Sequence, residues 1–423
     1  MKLIDGFANL LKGLGGGKDA RMYSDFRPGL RVEKRLAENL FTYNWLAAKV
    51  ITAPVDDALR KWVSIQSEDA EEKKRIENLL LKYGIKELVY RVFVWGRLFG
   101  GAALVPIIEN GEQTEPLDIE KIKPGQLKTI ILKDRYHLTA GTLDRDIFST
   151  NYDKPVSFSL VDNGTVFHYS RVLRVNGKTA TEDEMRNLSG WGLSVLTDIL
   201  EPLYDALGVS ASISNLIYES NVDVYKIKDF NSLLAENSED LATRRLEYAN
   251  KFKSTINAIA LDSEDSYDKK TNTFTNLENL DDRAYQKVAG ASGIPVTKLI
   301  GVSPSGMNAT GESDLNNYND LVQTLQENKI RPVLTDILTI ICLNEGITNI
   351  PEFVFNPLKQ MTEVEKADVS LKRSQRDMNY LRENVIEPTD VMSQLAEDKT
   401  YVSINAQRVE EEKEALELGG FDE

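Results

Sequence analysis

Residues 298–334 read KLIGVSPSGMNATGESDLNNYNDLVQTLQENKIRPVL, and the two parts of this stretch have opposite characters. Gly301 to Ser313 hold three glycines, one proline and four serines or threonines in thirteen residues, which makes a loop of small polar groups. Thr310 or Ser313 is placed to cap the helix that follows, with Glu312 and Asp314 at the favourable end of its dipole. That helix is expected to run to about Leu343, with a kink at Pro332. Glycine-rich loops ahead of helices can cradle phosphates. Here two acids and no lysine follow the last glycine, which argues against a nucleotide site.

Upstream of this stretch, Leu193, Leu200, Leu207 and Ser214 recur every seven residues, interleaved with Leu196, Leu203, Ser210 and Ile217. One seam of this helix therefore faces a partner throughout. Pro202 must kink the helix or start its main segment. Gly208, Ser210, Ala211, Ser212 and Ser214 allow neighbouring helices to come close, as in a packed ring of helices. Residues 221–278 then form an insertion: a strand VDVYKI, a charged helix from about Asn231 to Ser254, a strand INAIAL and a polar, hairpin-like DSEDSYDKKTNT. A second helix ends over Ala284 to Ser292 and is stopped by Gly293, Ile294 and Pro295. Helix, small α/β module and helix together make a stalk with a tip.

Residues 29–192 are a mixed body, so the class is α+β. Leu36, Leu40, Tyr43, Ala47, Val50 and Ile51 repeat at helical spacing until Pro54 breaks the pattern. A charged helix over Glu68 to Tyr83 and a third from about Lys86 to Phe99 lead into the apolar strand ALVPII at 103–108. Short strands follow between Gly125 and Val175. The first fourteen residues, MKLIDGFANLLKGL, form an amphipathic arm with neither a signal peptide nor a membrane span, and GGGKD makes a flexible joint. Near the other end, Val364, Leu371, Met378 and Val385 repeat at seven, which suits packing of helices between subunits. The last residues are acidic.

The 423 residues carry 66 acidic and 51 basic side chains, a formal net charge of −15. The single cysteine, Cys342, excludes an internal disulfide framework and a cysteine-based metal cluster, and a reducing, cytosolic site of folding is the simple expectation. Two histidines leave little for metal or acid–base chemistry, and neither a metal nor a cofactor is expected. No serine-elbow, zinc-helix or Walker motif is present, so the chain is read as a non-enzyme.

Several pieces in order carry a resemblance: Phe99, Gly100, Gly101, Ala102; His168, Tyr169, Ser170, Arg171, Val172; Gly190, Trp191, Gly192, Leu193, Ser194; then Gly293, Ile294, Pro295, the Gly301–Ser313 loop, and Asn316, Asn317, Tyr318. Together these resemble the portal proteins of tailed bacteriophages, the head-to-tail connectors, over about residues 30–360. The resemblance implies a ring, commonly of twelve subunits, at one capsid vertex, through which double-stranded DNA is packaged and ejected. It implies an N-terminal arm (1–28), a wing (29–192), stem helices (193–220 and 279–296), a clip (221–278) and a tunnel loop (297–313). A long kinked helix with a strand returning to the wing (314–359) and a crown with an acidic tail (360–423) complete it. Implied partners are the terminase large subunit, a head-completion or tail adaptor, the major capsid protein and scaffold, and DNA bound without sequence preference, with no membrane. The implied location is the virion, after assembly in the bacterial cytoplasm.

Within that frame Ser303, Ser305, Met307, Asn308 and Thr310 are the candidate DNA contacts, and Lys298 the nearest cation. Leu200, Leu203, Leu207, Ser210, Ile217, Leu371 and Met378 are the candidate interface between copies. An acidic chain suits a conduit, because dense cationic contacts would hold a duplex that must slide. A rival reading starts from the His137-Leu138-Thr139 and His168-Tyr169-Ser170 motifs, a pattern similar to that of two-histidine phosphoesterases, in which each imidazole does acid–base work.

Overall fold

The structure, a computed structural model, describes residues 31–67, 69–219, 222–226, 266–270, 277–301, 312–359, 363–397, 408–409 and 411–412. Two compact units divide the chain, one through Asn356 and one from Pro357.

The first unit opens with α1 (Lys34–Tyr43) and α2 (Trp45–Arg60). They part at Asn44, whose extended backbone ends one helix and whose Oδ1 accepts from the Ala47 amide at 2.9 Å to start the next. The break expected at Pro54 does not occur, because α2 runs through it. Proline removes the N–H that the Val50 carbonyl would accept. Arg97 replaces it: Nη2 donates to the Val50 carbonyl and Nε to that of Ile51, both at 2.9 Å. Burial pulls the Arg97 guanidinium down to about 10.

Next come β1 (Val63–Gln66), α3 (Ala70–Lys82), α4 (Ile85–Phe99), β2 (Gly101–Ile108), β3 (Leu127–Asp134), β4 (Leu138–Ala140), β5 (Ser157–Leu160), β6 (Val166–His168) and β7 (Leu173–Asn176). They build two antiparallel three-stranded sheets, β3-β2-β7 and β4-β5-β6. One face of β2 sends Ala103 and Val105 against Phe158, Phe167 and Trp191 of the second sheet and its neighbouring loop. The other face meets α4, where Gly96 lies against Val175. The unit is thus layered as α2, α4, central sheet, outer sheet.

The glycine motifs of the sequence meet at one junction of these layers. A Cβ on Gly101 would sit 2.3 Å from the Trp191 ring. One on Gly177 would sit 2.5 Å from the Leu193 carbonyl oxygen and 2.6 Å from that of Gly96. Only glycine lets these backbones approach so closely.

After α5 (Glu182–Asn187) the long α6 (Leu196–Glu219) packs along α7 (Leu277–Ser292), which is preceded by β8 (Val222–Lys226) and β9 (Ser266–Lys270). Pro202 lies inside α6. β8 and β9 pair antiparallel, Val222 opposite Lys270. The polar segment read as hairpin-like therefore holds the strand that pairs with VDVYK, while the expected helix 231–254 and the strand INAIAL lie outside the described residues.

Downstream of α8 (Val296–Leu299) and α9 (Glu312–Leu325), the five residues Gln326–Ile330 form a π-helical turn that continues into α10 (Arg331–Asn344). The irregularity expected at Pro332 is thus taken up just before it, and the proline follows the turn directly, at the start of α10. β10 (Glu352–Phe355) returns to pair with β1, Val63 opposite Phe355.

The second unit holds α11 (Glu363–Arg382) and α12 (Pro388–Glu397). Along α11 the seven-residue stripe of Val364, Leu371 and Met378, extended by Val385 beyond its end, is exposed throughout.

Candidate functional site

The glycine-rich loop is where sequence reasoning places the functional contact, and its flanks are fixed by one carboxylate. Asp57 of α2 receives the Lys298 ammonium at 3.1 and 3.2 Å from its two oxygens, and the Tyr318 hydroxyl donates to Oδ2 at 3.0 Å. Lys298 precedes the loop and Tyr318 follows it. Burial and the neighbouring Asp57 push the Tyr318 hydroxyl far above the usual tyrosine range, so it remains a donor. Four residues beyond Val322, buried Gln326 donates from Nε2 to the Ala58 carbonyl at 2.7 Å, so the π-helical turn is fastened to the same stretch of α2.

Lys298, the nearest cation to the loop, is a member of an ion pair with Asp57. Ser303, Ser305, Met307, Asn308 and Thr310 lie outside the described residues. Neither Asp57 nor Arg97 was singled out from the sequence. The signal for Arg97 was Pro54, since a proline inside a helix leaves a carbonyl that some buried donor must satisfy.

The candidate interface residues divide into two classes. Leu200 and Leu203 are 2 % and 0 % exposed, covered by the chain itself, and so are not available to a second copy. Leu207 and Ile217, further along the same helix, are 43 % and 53 % exposed, and Leu371 and Met378 58 % and 64 %. Ser210 is occupied inside the chain, its hydroxyl donating to Asp281 of α7.

The two histidines do not converge. His137 Nδ1 stands 2.8 Å from Asp134 Oδ2, and His168 Nδ1 stands 2.9 Å from Ser170 Oγ. Burial, aided by Arg171, lowers the His168 pKa. Across β5, His168 is opposite Ser157, while the carbonyl of His137 accepts from Val161. Those positions differ by four residues, about 13 Å along the strand, and β4 and β6 stand on opposite sides of β5, about 9.5 Å apart. Two imidazoles so placed cannot act on one phosphate, and the phosphoesterase reading falls. Among the described residues, no group of three or more His, Cys, Asp or Glu is placed to hold a metal, and no helix is long and apolar enough to cross a membrane.

Comparison with protein families matches residues 36–379 to a model described as phage portal protein. The chain belongs to the phage portal protein family. Among solved structures, the neck of a native GTA particle, computed with C12 symmetry, has a TM-score of 0.51 at 15 % identity, covering 89 % of this chain and 97 % of that one. This likeness establishes the α+β portal fold. Among sequences, an uncharacterized protein of Haemophilus influenzae (strain ATCC 51907 / DSM 11121 / KW20 / Rd) is 29 % identical over 99 % of this chain and 95 % of its own length. A protein of Sphingomonas paeninsulae named "Anti-CBASS protein Acb1" is 31 % identical over 95 % of this chain, which spans 67 % of that relative.

Proposed function

We propose that this portal protein forms a closed ring, of about twelve copies, at one capsid vertex, and that double-stranded DNA is packaged and later ejected through its channel. The observation that carries this reading is the set of exposed apolar side chains Leu207 on α6 and, at seven-residue spacing, Val364, Leu371 and Met378 on α11. A second copy supplies what a single chain lacks, since a seven-residue apolar repeat is a helix-to-helix seam. Native mass spectrometry with negative-stain imaging tests it. A ring with a central hole is expected, and a single-subunit mass overturns it.

The Gly301–Ser313 loop then acts as the sliding contact. Its serines, Asn308 and Thr310 donate weak hydrogen bonds to phosphate oxygens without reading bases, and none carries a charge that would hold the duplex. The Asp57 clamp supports this by fixing both points from which the loop leaves the fold. Replacing Gly306 and Gly311 by proline is expected to leave rings intact and impair DNA packaging or retention. Normal retention would remove the loop from the mechanism. The module at 221–278 is the docking surface for the terminase large subunit and afterwards for the head-completion or tail adaptor. Loss of motor binding in a pull-down with assembled rings lacking 231–254 is the expected result. The major capsid protein and scaffold are further partners, in a virion assembled in the host cytoplasm.

A further inference from the structure

The segment between β4 and β5 carries two adjacent apolar side chains in solvent, Ile147 at 71 % and Phe148 at 90 % exposure. Single exposed apolar residues are ordinary. This pair stands on a stiff support. The Asp144 amide donates to the Lys154 carbonyl and the Asp153 amide to that of Asp144, both at 2.8 Å, closing the base of the segment. Asp146 Oδ1 accepts from the Phe148 amide at 3.0 Å, and Asn151 Nδ2 donates to the Pro155 carbonyl at 3.0 Å. Asp153 receives Arg145 at 2.9 Å and Arg186 of α5 at 2.7 Å. Phe148 is thus a preformed knob, whose ordering cost is met before any partner arrives.

The same unit carries an open pocket of about 350 Å³ between α2 and α4, lined by Asp56, Leu59, Arg60, Lys86, Glu87 and Tyr90. Leu59, the Tyr90 ring and the aliphatic stems of Arg60 and Lys86 make its walls largely apolar. Asp56 is engaged by the Tyr90 hydroxyl, which burial and that carboxylate push up to about 12. Knob and pocket lie on opposite layers: the knob extends from the outer sheet, and the pocket is cut into the helical layer across the central sheet. Asp144 and Asp146 beside the knob are opposite in charge to Lys86 and Arg60 of the pocket lining, of which Arg60 is also paired with Asp57, and the lining includes the acids Asp56 and Glu87.

A closed ring of identical subunits needs two different, complementary patches on each copy, displayed on opposite sides. We infer that Phe148 of one copy enters the Leu59–Tyr90 pocket of the next, a heterologous knob-in-pocket contact between wings. This rests on the ring reading above and names a contact within it.

The test places cysteines beside the contact without touching the knob, as Ile147→Cys with Glu87→Cys in the full chain, treated with a short bis-maleimide. Cys342 is fully buried and stays silent. The expected result is a ladder of covalent multimers on a denaturing gel for the double variant and none for either single variant. Phe148→Asp is expected to raise the concentration needed for half-assembly by about tenfold or more, with Phe148→Tyr close to the parent. Rings that assemble yet give no ladder overturn this contact and leave the ring reading standing, as they would if a capsid protein held the knob instead. Absence of assembly in the parent chain overturns the ring reading and this contact with it.

Discussion

The wing and the stem–crown helices solve the same problem in different ways. In the wing, every large apolar group near the glycine junction finds cover within the chain, with Phe158, Phe167 and Trp191 closed between two sheets. In α6 the cover stops half-way: Leu196, Ile199, Leu200, Leu203 and Ala206 are buried, and from Leu207 to Ile217 no side chain is. In α11 the apolar stripe has no cover in the chain. The apolar groups around the glycine junction are therefore closed within the first unit, while the outer half of α6 and the stripe on α11 are exposed. Substitutions in the two regions should separate folding from assembly.

The largest effect is expected at Gly177→Ala, whose new Cβ would meet three backbone atoms within 2.8 Å. Backbone cannot step aside as a side chain can, so a loss of about 3 kcal/mol or more is expected, read as a lowered melting temperature of the wing. Asp57→Ala comes next. It leaves the Lys298 ammonium and the Tyr318 hydroxyl without their acceptor and should cost about 2 kcal/mol, with faster hydrogen exchange at 296–301 and 312–320. A shift confined to the global melting point, with no local change in exchange, would deny Asp57 its part in fixing the loop's flanks.

Leu207→Glu and Leu371→Glu sharpen the comparison from the other side. Both positions are exposed in the chain, so folding stability should stay within about 0.5 kcal/mol of the parent. Ring mass by native mass spectrometry should fall, because a charge would enter a seam with no partner. The reverse pattern, an unfolded chain or an intact ring, would erase the distinction between the two regions. The smallest effect concerns Glu345. The hydrogen bond from Lys82, with that from Tyr83, holds its carboxyl below the ordinary value of 4.5. Its contribution is therefore present above that value and lost as pH falls through the lower, folded-state pKa. Melting temperature plotted against pH should fall more steeply for the parent than for Glu345→Gln in that acid range.

Much of the wing was legible because its signals are local: glycines stop helices, and alternating or continuous apolar runs mark strands. What escaped depends on distant groups. Pro54 announces a break by every local rule, yet Arg97, 43 residues later in the sequence, donates to the carbonyls that the break would expose. Lys298 looks like a free cation until α2 brings Asp57 to it. The seven-residue repeat of α6 specifies a seam but not whose surface fills it. Leu200 and Leu203 face the chain itself and Leu207 and Ile217 face outward, although the four follow one pattern. The strand at Ser266–Lys270 was hidden by its polar composition, since pairing with VDVYK is made by backbone groups that composition does not reveal.

Tyr318, Val322, Gln326, Ile330, Leu334 and Leu338 are all buried and stand four residues apart. An α-helix repeats every 3.6 residues, so a strict step of four drifts by about 40° each time. The five-residue π-helical turn Gln326–Ile330 takes up part of that drift and keeps the later members against the core. In genetic terms the turn behaves as a one-codon insertion in a helix. Excising one codon there would restore an unbroken α-helical ladder and, because the wider turn has already absorbed the extra residue's rotation of about 100°, would leave Leu334 and Leu338 on the face they now occupy. Homologous genes one codon shorter at this point should therefore keep the same pattern of apolar codons beyond it.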